Sequence, residues 1–199
     1  MTGKEQVLET AKEKKIFRAG DVDLPPNHTH RYLARLVEEG SIERVGYGLY
    51  SLTGGDFTET QSLLEVAARA PNAVLCLLSA LQFHDLTTQN PFEVWVAIPR
   101  RSHVPKIDSV QTRIFRFTPK FYEAGIKTHN IHGGELKVYS AAKTVADCFY
   151  FQKTVGLDVA LEALRDAWRT RKATMDELYH FAEIRRVKNT MIPYLNTLA

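Results

Sequence analysis

The chain has 199 residues, of which 44% are apolar and 25% are charged, and its formal net charge is +3. This composition is typical of a soluble globular protein and excludes a largely disordered chain. The longest apolar runs, such as residues 73–78, are far shorter than the ~20 residues of a membrane span. The charged N-terminus lacks the apolar region of a signal peptide. We therefore expect a cytoplasmic protein of one large or two small domains.

Charge and turn residues divide the chain near residue 54. Residues 1–52 carry eight basic and eight acidic side chains, whereas the other 147 residues carry 18 basic and 15 acidic ones. The stretch that spans this point, SLTGGDFTETQ at residues 51–61, contains Gly54 and Gly55. It has no apolar periodicity, as expected of a linker. We predict an N-terminal domain of residues 1–54 and a C-terminal domain of residues 55–199.

The first 52 residues predict three helical segments followed by a hairpin. A helix over residues 4–14 precedes one or two helical turns within 18–23. Asn27 is a favourable N-cap for a third helix that runs to about Glu39. Two short strands then join at the turn 46–48. This order is that of a winged helix-turn-helix domain, in which the third helix reads the DNA major groove and the hairpin contacts its backbone.

The third helix has an apolar side and a polar side. Leu33, Leu36 and Val37 recur at helical spacing, so we expect them to face inward. The other sides carry arginines, which can reach guanine edges or phosphates, and polar residues at a helix N-terminus, which attracts phosphate. Together with two residues of the hairpin, the predicted DNA contacts are Asn27, His28, Thr29, His30, Arg31, Arg35, Arg44 and Tyr47.

A protein-interaction module is the alternative for this segment, because small domains of this kind also bind proteins and the segment has no net positive charge. DNA binding is favoured because the acidic side chains can occupy the opposite surface. These are Glu5, Glu9, Glu13 and Glu43.

From Pro71 onwards the pattern predicts a mixed α/β domain with a small sheet and a helical C-terminal end, so the whole chain is of the α+β class. An apolar run at residues 73–78 leads into a helix through Ser79 and His84. Strands are predicted at 92–98 and 112–117, a hairpin around 132–134, and helices at 141–151, 157–169, 175–185 and 190–198.

Two basic clusters lie in this second domain. Residues 100–120 hold six basic side chains against Asp108 alone. Because such side chains neutralise phosphates, we predict Arg100 and Arg101 as further DNA contacts, with a solvated basic face as the equally weighted alternative. Residues 165–188 hold seven basic and four acidic side chains, and there a solvated face is the favoured interpretation.

No motif predicts catalysis. His84 and Asp85 are adjacent, and neighbours on a helix do not face each other. Cys148 lies among apolar residues, which favours an inert thiol. His129 and His132 lack the further ligands of a zinc site. We expect a protein that is not an enzyme and binds no metal or cofactor, while a nuclease or nucleotidyl-transferring enzyme using the C-terminal domain stays an alternative.

Four stretches of the sequence resemble one protein family. The segment LARLVEEGSIERVGYGLYSL is similar to the N-terminal domain of AbiEi-type antitoxins. The segments LLSALQFHDLTTQNPFEVWVAIPR, VYSAAKTVADCF and VGLDVALEAL resemble the C-terminal domain of that family. The resemblance spans about residues 7–167, and its specificity lies in the combination and order of the stretches.

The resemblance implies a transcriptional autorepressor and antitoxin of a type IV toxin–antitoxin system, of the kind linked to abortive phage infection. It implies binding to inverted repeats in the chain's own promoter. It also implies a nucleotidyltransferase-like toxin that is neutralised without a stable complex. In the C-terminal domain the matching residues are Ser79, His84, Lys143, Thr144, Asp147, Lys153, Asp158 and Glu162.

The residue types also allow simpler structural roles for several members of that set. Ser79 and His84 are more simply interpreted as residues that satisfy backbone groups of a helix. Lys143, Asp147 and Lys153 are expected on an exposed polar face, where the spacing of Lys143 and Asp147 also allows an ordinary ion pair.

Overall fold

The chain folds into two compact units. Unit 1 comprises residues 1–71 and 129–136, and unit 2 comprises residues 72–128 and 137–199. The computed structural model describes residues 2–14, 16–46, 48–54, 58–107, 110–131 and 134–198. The predicted boundary after residue 54 stays a prediction, because residues 55–57 lie outside the described residues. None of the described helices is long and apolar enough to cross a membrane.

Unit 1 has the element order of a winged helix-turn-helix domain. Its strands form an antiparallel sheet of order β1-β3-β2. In chain order its elements are α1 (Gly3–Glu13), β1 (Ile16–Arg18), a 3₁₀ turn (Ala19–Asp21), α2 (Pro26–Glu38), β2 (Ile42–Gly46) and β3 (Leu49–Leu52). The predicted helices and hairpin are confirmed, and the apolar pair after α1 forms a strand that the sequence pattern did not predict.

The bounds of α2 follow from its flanking residues. The helix begins at Pro26 with Pro25 as N-cap, so the predicted N-cap Asn27 is wrong by two residues. Proline is tolerated at the first helical position because it loses no hydrogen bond there. It ends before Gly40, whose φ of +70° suits glycine. Leu33 and Leu36 are buried as predicted. Val37 is 37% exposed, so its predicted inward position is wrong.

A helix begins within residues 51–61, the stretch that was predicted as a linker. α3 (Thr58–Arg69) belongs to unit 1. Its Leu64 is 2% exposed and packs with Ile16, Val45 and Leu49. Residues 58–61 are therefore helical and are not part of a linker.

A five-stranded sheet of order β6-β5-β4-β8-β7 runs through unit 2, and residues 129–136, where β7 ends and β8 begins, belong to unit 1. The strand β5 pairs antiparallel with β4 and parallel with β6, while β4 pairs parallel with β8. The elements in chain order are β4 (Val74–Leu75), α4 (Leu77–Phe83), β5 (Val94–Pro99), β6 (Thr112–Phe117), α5 (Pro119–Glu123), β7 (Ile126–Ile131) and β8 (Gly134–Tyr139). The sequence had left this strand order open.

Helices complete unit 2. α6 is its central helix, since residues 141–149 are all buried and α6 packs against α4, α8 and α9. The predicted capping box between Thr174 and Glu177 begins α9. The helices are α6 (Ala141–Tyr150), α7 (Gln152–Val155), α8 (Leu157–Arg169), α9 (Met175–Arg185) and α10 (Lys188–Leu195). The four predicted helices are confirmed, and the short helices α5 and α7 were not predicted.

Candidate functional site

One side of α2 carries most of the predicted DNA contacts. Leu33 and Leu36 face the core of unit 1. At 100° per residue Arg31 lies opposite them, and Asn27, His28 and Arg35 lie on the same side as Arg31. His30 lies about 60° from Leu33, at the edge of this side. The side chains there are all exposed, namely Asn27, His28, His30, Arg31 and Arg35. A recognition helix needs such a continuous polar surface to approach base edges and phosphates.

Thr29 does not lie on this surface. Its side chain is fully buried, and its hydroxyl donates to the carbonyls of Leu24 (3.3 Å) and Pro25 (3.2 Å). The prediction that Thr29 faces outward is wrong because it precedes Leu33 by four residues and shares the apolar stripe. A threonine hydroxyl tolerates this position by bonding to a carbonyl of the preceding turn.

The two arginines of α2 differ in their electrostatic surroundings. Arg35 Nε lies 2.9 Å from one oxygen of Glu39, and Lys4 Nζ lies 2.5 Å from the other. Hydrogen bonds from Lys4 and then from Arg35 lower the pKa of Glu39. Arg31 lies 5.5 Å from the ring centroid of Tyr32 and has no ion pair within the described part of the chain. Arg31 is therefore the cation that an incoming phosphate meets without a competing carboxylate.

The hairpin carries one predicted DNA contact among the described residues. Arg44 is exposed on β2, and its Nε donates to the carbonyl of Gly46 at 3.2 Å. The pairing of β2 with β3 shifts register between these two residues. Tyr47, the other predicted wing contact, lies outside the described residues.

Some side chains of the basic cluster at residues 100–120 make contacts that stabilise the fold of unit 2. Arg116 donates to the carbonyls of Arg100 (2.7 Å) and Ser102 (2.8 Å). Arg113 lies over the Trp95 ring, 4.6 Å from its centroid. Arg100 and Arg101 are both exposed, as a DNA contact requires. Asp108, the single acidic residue of the cluster, lies outside the described residues.

Lys143 and Asp147 are fully buried in α6, so the predicted exposed polar face is wrong for both. Lys143 Nζ lies 2.5 Å from Asp147 Oδ2, and Arg185 Nε on α9 lies 2.8 Å from Asp147 Oδ1. The second contact brings the charges together without the alignment of a hydrogen bond. We call Lys143, Asp147 and Arg185 the buried triad. Its burial follows from helices packed around α6, which leave no side of α6 facing water.

Aromatic rings surround the two cations of the buried triad. Lys143 Nζ lies 4.3 Å from the Tyr139 ring centroid and 5.1 Å from that of Phe117. The Arg185 guanidinium lies over four rings, at 4.0–5.1 Å from the centroids of Tyr150, Phe117, Phe121 and Phe151. Because the faces of aromatic rings are electronegative, they partly compensate two buried cations that share one carboxylate.

Burial dominates the protonation equilibria of the buried triad. Loss of water around the charged form raises the pKa of Asp147 and lowers that of Lys143, against the attraction between them. The same desolvation raises the pKa of the buried thiols of Cys76 and Cys148 well above the usual value. The arrangement is therefore a polar core element that joins α6 to α9.

Three further members of the predicted antitoxin set satisfy backbone groups. The His84 ring Nε2 lies 2.7 Å from the carbonyl of Tyr139, and Thr144 donates to that carbonyl at 3.3 Å. Ser79 Oγ accepts a hydrogen bond from the Trp95 N–H at 2.8 Å. Ser79 and His84 thus satisfy backbone groups of strands, and not of a helix as the sequence suggested.

The remaining members lie at the surface of unit 2. Lys153 on α7 and Asp158 in the first turn of α8 are exposed, and Glu162 on α8 is half-buried. A partner can therefore reach these three side chains, whereas it cannot reach the buried triad.

Sequence reasoning missed Arg185. Its signal is nevertheless present, because Leu178, Ala182 and Arg185 recur at a spacing of four and three residues and are all buried. An arginine on the apolar stripe of a helix needs a buried carboxylate, which Asp147 supplies.

Within the described part of the chain, no group of three or more His, Cys, Asp or Glu side chains could hold a metal ion. His132, one of the two histidines considered for zinc, lies outside the described residues.

A comparison with protein families matches part of unit 1. Residues 5–53 match the family model described as "Transcriptional regulator, AbiEi antitoxin". No curated protein matches the chain at a significant level. The chain resembles the crystal structure of the RV2827C protein from Mycobacterium tuberculosis, with a TM-score of 0.54 and 10% identity over 98% of this chain and 81% of that one. At that identity the likeness shows the fold alone.

Proposed function

We propose, from the match of residues 5–53 to the family of AbiEi antitoxin transcriptional regulators, that the chain binds operator DNA in its own promoter and represses its own gene. We further propose that it is the antitoxin of a type IV toxin–antitoxin system in phage defence by abortive infection. In this role it neutralises a nucleotidyltransferase-like toxin without a stable complex. The proposal assigns the protein a binding role and no catalytic one.

The observation that carries the DNA-binding proposal is the exposed side of α2, which lies within the residues of the family match. Arg31 and Arg35 are one helical turn apart there, so both can reach the same stretch of a major groove. His28 and His30 extend this surface towards the start of the helix. The exposed Arg44 supplies a cation on the hairpin.

The charge balance of residues 1–52 sets the expected affinity. With eight basic and eight acidic side chains, this segment gains little from non-specific attraction to DNA. Glu39 already holds Arg35, so a phosphate has to replace a carboxylate partner there. The proposal therefore includes Arg100 and Arg101 as supplementary phosphate contacts, each of which would steepen the salt dependence of binding.

An electrophoretic mobility shift with the DNA upstream of the chain's own gene, at two salt concentrations, tests the repressor role. We expect a specific shift that weakens with salt and is lost in the double variant Arg31→Glu, Arg35→Glu. The matched control is Lys12→Glu, Arg18→Glu, which makes the same charge change on exposed residues of α1 and β1. Loss of the shift in both variants would mean that general charge, and not α2, carries binding. Circular dichroism verifies that each variant is folded.

Co-expression with the nucleotidyltransferase-like toxin that this proposal requires tests the antitoxin role. We expect the wild-type chain to restore growth, and reversal of the accessible charges by Lys153→Glu, Asp158→Lys or Glu162→Lys to weaken the rescue. Lys172, which follows α8, already forms an ion pair with Asp85, so it is not included. Recovery of a stable complex of the two proteins would contradict the type IV assignment.

A further inference from the structure

A cavity of about 620 Å³ lies in unit 2, where α8 ends and α9 begins. Its lining includes Trp168, Arg169, Arg171, Met175 and Asp176. The volume falls within the roughly 300–1,000 Å³ of typical small-molecule sites. The cavity lies outside the residues of the family match and is not part of the proposed DNA-binding surface.

Its cations differ in whether they are already paired. Arg169 Nη2 lies 2.9 Å from Asp166, and the neighbouring Lys172 lies 3.2 Å from Asp85. The exposed Arg171 has no side-chain partner within the described ranges. Its guanidinium is therefore free to bind an anion at the wall of the cavity.

An aromatic surface and an acceptor accompany this cation. Trp168 is 37% exposed, and no described residue accepts a hydrogen bond from its indole N–H. An indole face stacks well with a planar base, and the flexible thioether of Met175 adapts to a ring edge. Asp176 offers only acceptor oxygens when ionised, so it selects an amino group and disfavours a carbonyl.

We propose that this cavity binds a nucleotide whose base carries an exocyclic amino group. The base stacks on Trp168 and donates to Asp176, while the phosphate pairs with Arg171 in the two-pronged geometry that a guanidinium favours. The same chemistry is offered by a free mononucleotide and by an unpaired base of a single nucleic-acid strand. This site is separate in the chain from α2, so its failure would leave the repressor proposal intact.

Titration calorimetry of the full chain with AMP and with purine riboside 5′-monophosphate tests the proposal. The second ligand has a hydrogen where AMP has its amino group, so it cannot donate to Asp176 there. We expect AMP to bind at least fivefold more tightly than this analogue. Asp176→Ala should remove the preference, because alanine offers no acceptor to the amino group.

A matched pair of arginine variants tests the phosphate contact. Arg171 and Arg186 are both exposed, both follow a helix and both have left-handed φ angles, 57° and 63°. Only Arg171 is among the residues that line this cavity. Arg171→Gln should weaken AMP binding at least tenfold, and Arg186→Gln should leave it within twofold. Equal losses in the two variants would overturn the proposal, since they would reflect overall charge.

A single-stranded deoxyadenosine tetranucleotide with a 5′-phosphate separates the two sources of the ligand. Binding of AMP that the tetranucleotide competes away assigns the cavity to nucleotides in either form. Binding of the tetranucleotide alone, lost in Arg171→Gln, assigns it to a nucleic-acid strand. Absence of binding by either probe at millimolar concentration would overturn the proposal. The promoter mobility shift of Arg171→Gln serves as the control, because it should match that of the wild-type chain.

Discussion

Glu39 in unit 1 and Asp147 in unit 2 each contact one lysine and one arginine, yet their pKa values shift in opposite directions. Glu39 is at the surface, where hydrogen bonds from Lys4 and Arg35 lower its pKa. Asp147 is fully buried, and the loss of water raises its pKa despite Lys143 and Arg185 beside it. The partners are chemically the same, so the difference comes from the solvent that surrounds them.

The comparison separates a surface that can exchange partners from a core element that cannot. Water can replace either partner of Glu39, so Arg35 is able to leave it for a DNA phosphate. No water reaches Asp147, and its release would leave two buried cations without a counter-charge. The ion pair that can exchange its partner for DNA therefore lies in unit 1, whereas the buried triad stabilises the fold of unit 2.

The largest expected effect is that of Asp147→Asn, which removes the one carboxylate between two buried cations. Two buried cations that face a neutral amide cost up to about 3–5 kcal/mol of unfolding free energy while both stay charged. Burial lowers the pKa of Lys143, and loss of its proton reduces this cost. The matched change at the surface, Glu39→Gln, should leave stability nearly unchanged. Urea denaturation followed by circular dichroism measures both variants. Similar midpoints for the two would contradict the comparison.

Lys143→Met should have a smaller effect, because it leaves Asp147 and Arg185 as a one-to-one pair. We expect a loss of about 1–3 kcal/mol, typical of a removed buried hydrogen bond with a similar side-chain volume retained. The same denaturation series measures it. A loss as large as that of Asp147→Asn would show that the excess positive charge does not matter, and would argue against this account of the triad.

The opposite pKa shifts predict opposite contributions to the pH dependence of stability. The folded state of Asp147 binds its proton more tightly than the unfolded chain, so its contribution falls as the pH rises above the unperturbed 3.8. Glu39 contributes stability that is complete above 4.5 and is lost as the pH falls through its lower folded pKa. Difference curves between the wild type and each amide variant, measured over acidic pH, should therefore have slopes of opposite sign.

The smallest effect concerns DNA. Glu39→Gln frees Arg35 and removes one negative charge beside α2, so promoter DNA should bind about two- to fivefold more tightly at constant salt. Glu13→Gln, an exposed carboxylate at the end of α1, is the control. Mobility-shift titrations measure both affinities. Equal gains would mean that the ion pair with Arg35 does not limit binding.

Local signals account for what could be predicted from the sequence. Gly40 marks the end of α2, and the Thr174–Glu177 box marks the start of α9, because both depend on only a few neighbouring residues. The winged helix-turn-helix order could be recognised in the same way, element by element.

The errors arose where burial depends on distant parts of the chain. Lys143 and Asp147 have the spacing of a surface ion pair, and their burial is decided by α4, α8 and α9 packing around α6. Arg185, the second cation, follows Asp147 by 38 residues. Thr29 was assigned by its polarity, although its position on the apolar stripe of α2 places it in the core.

Residues 129–136 complete unit 1 although they follow most of the sheet strands of unit 2. Ile131 packs against the cluster of Ile16, Val45, Leu49 and Leu64. A ribosome must therefore synthesise more than 130 residues before the first unit can cover this apolar patch. A shorter nascent chain lacks this cover, so a chain that ends before residue 131 carries an incomplete first unit with an exposed apolar patch.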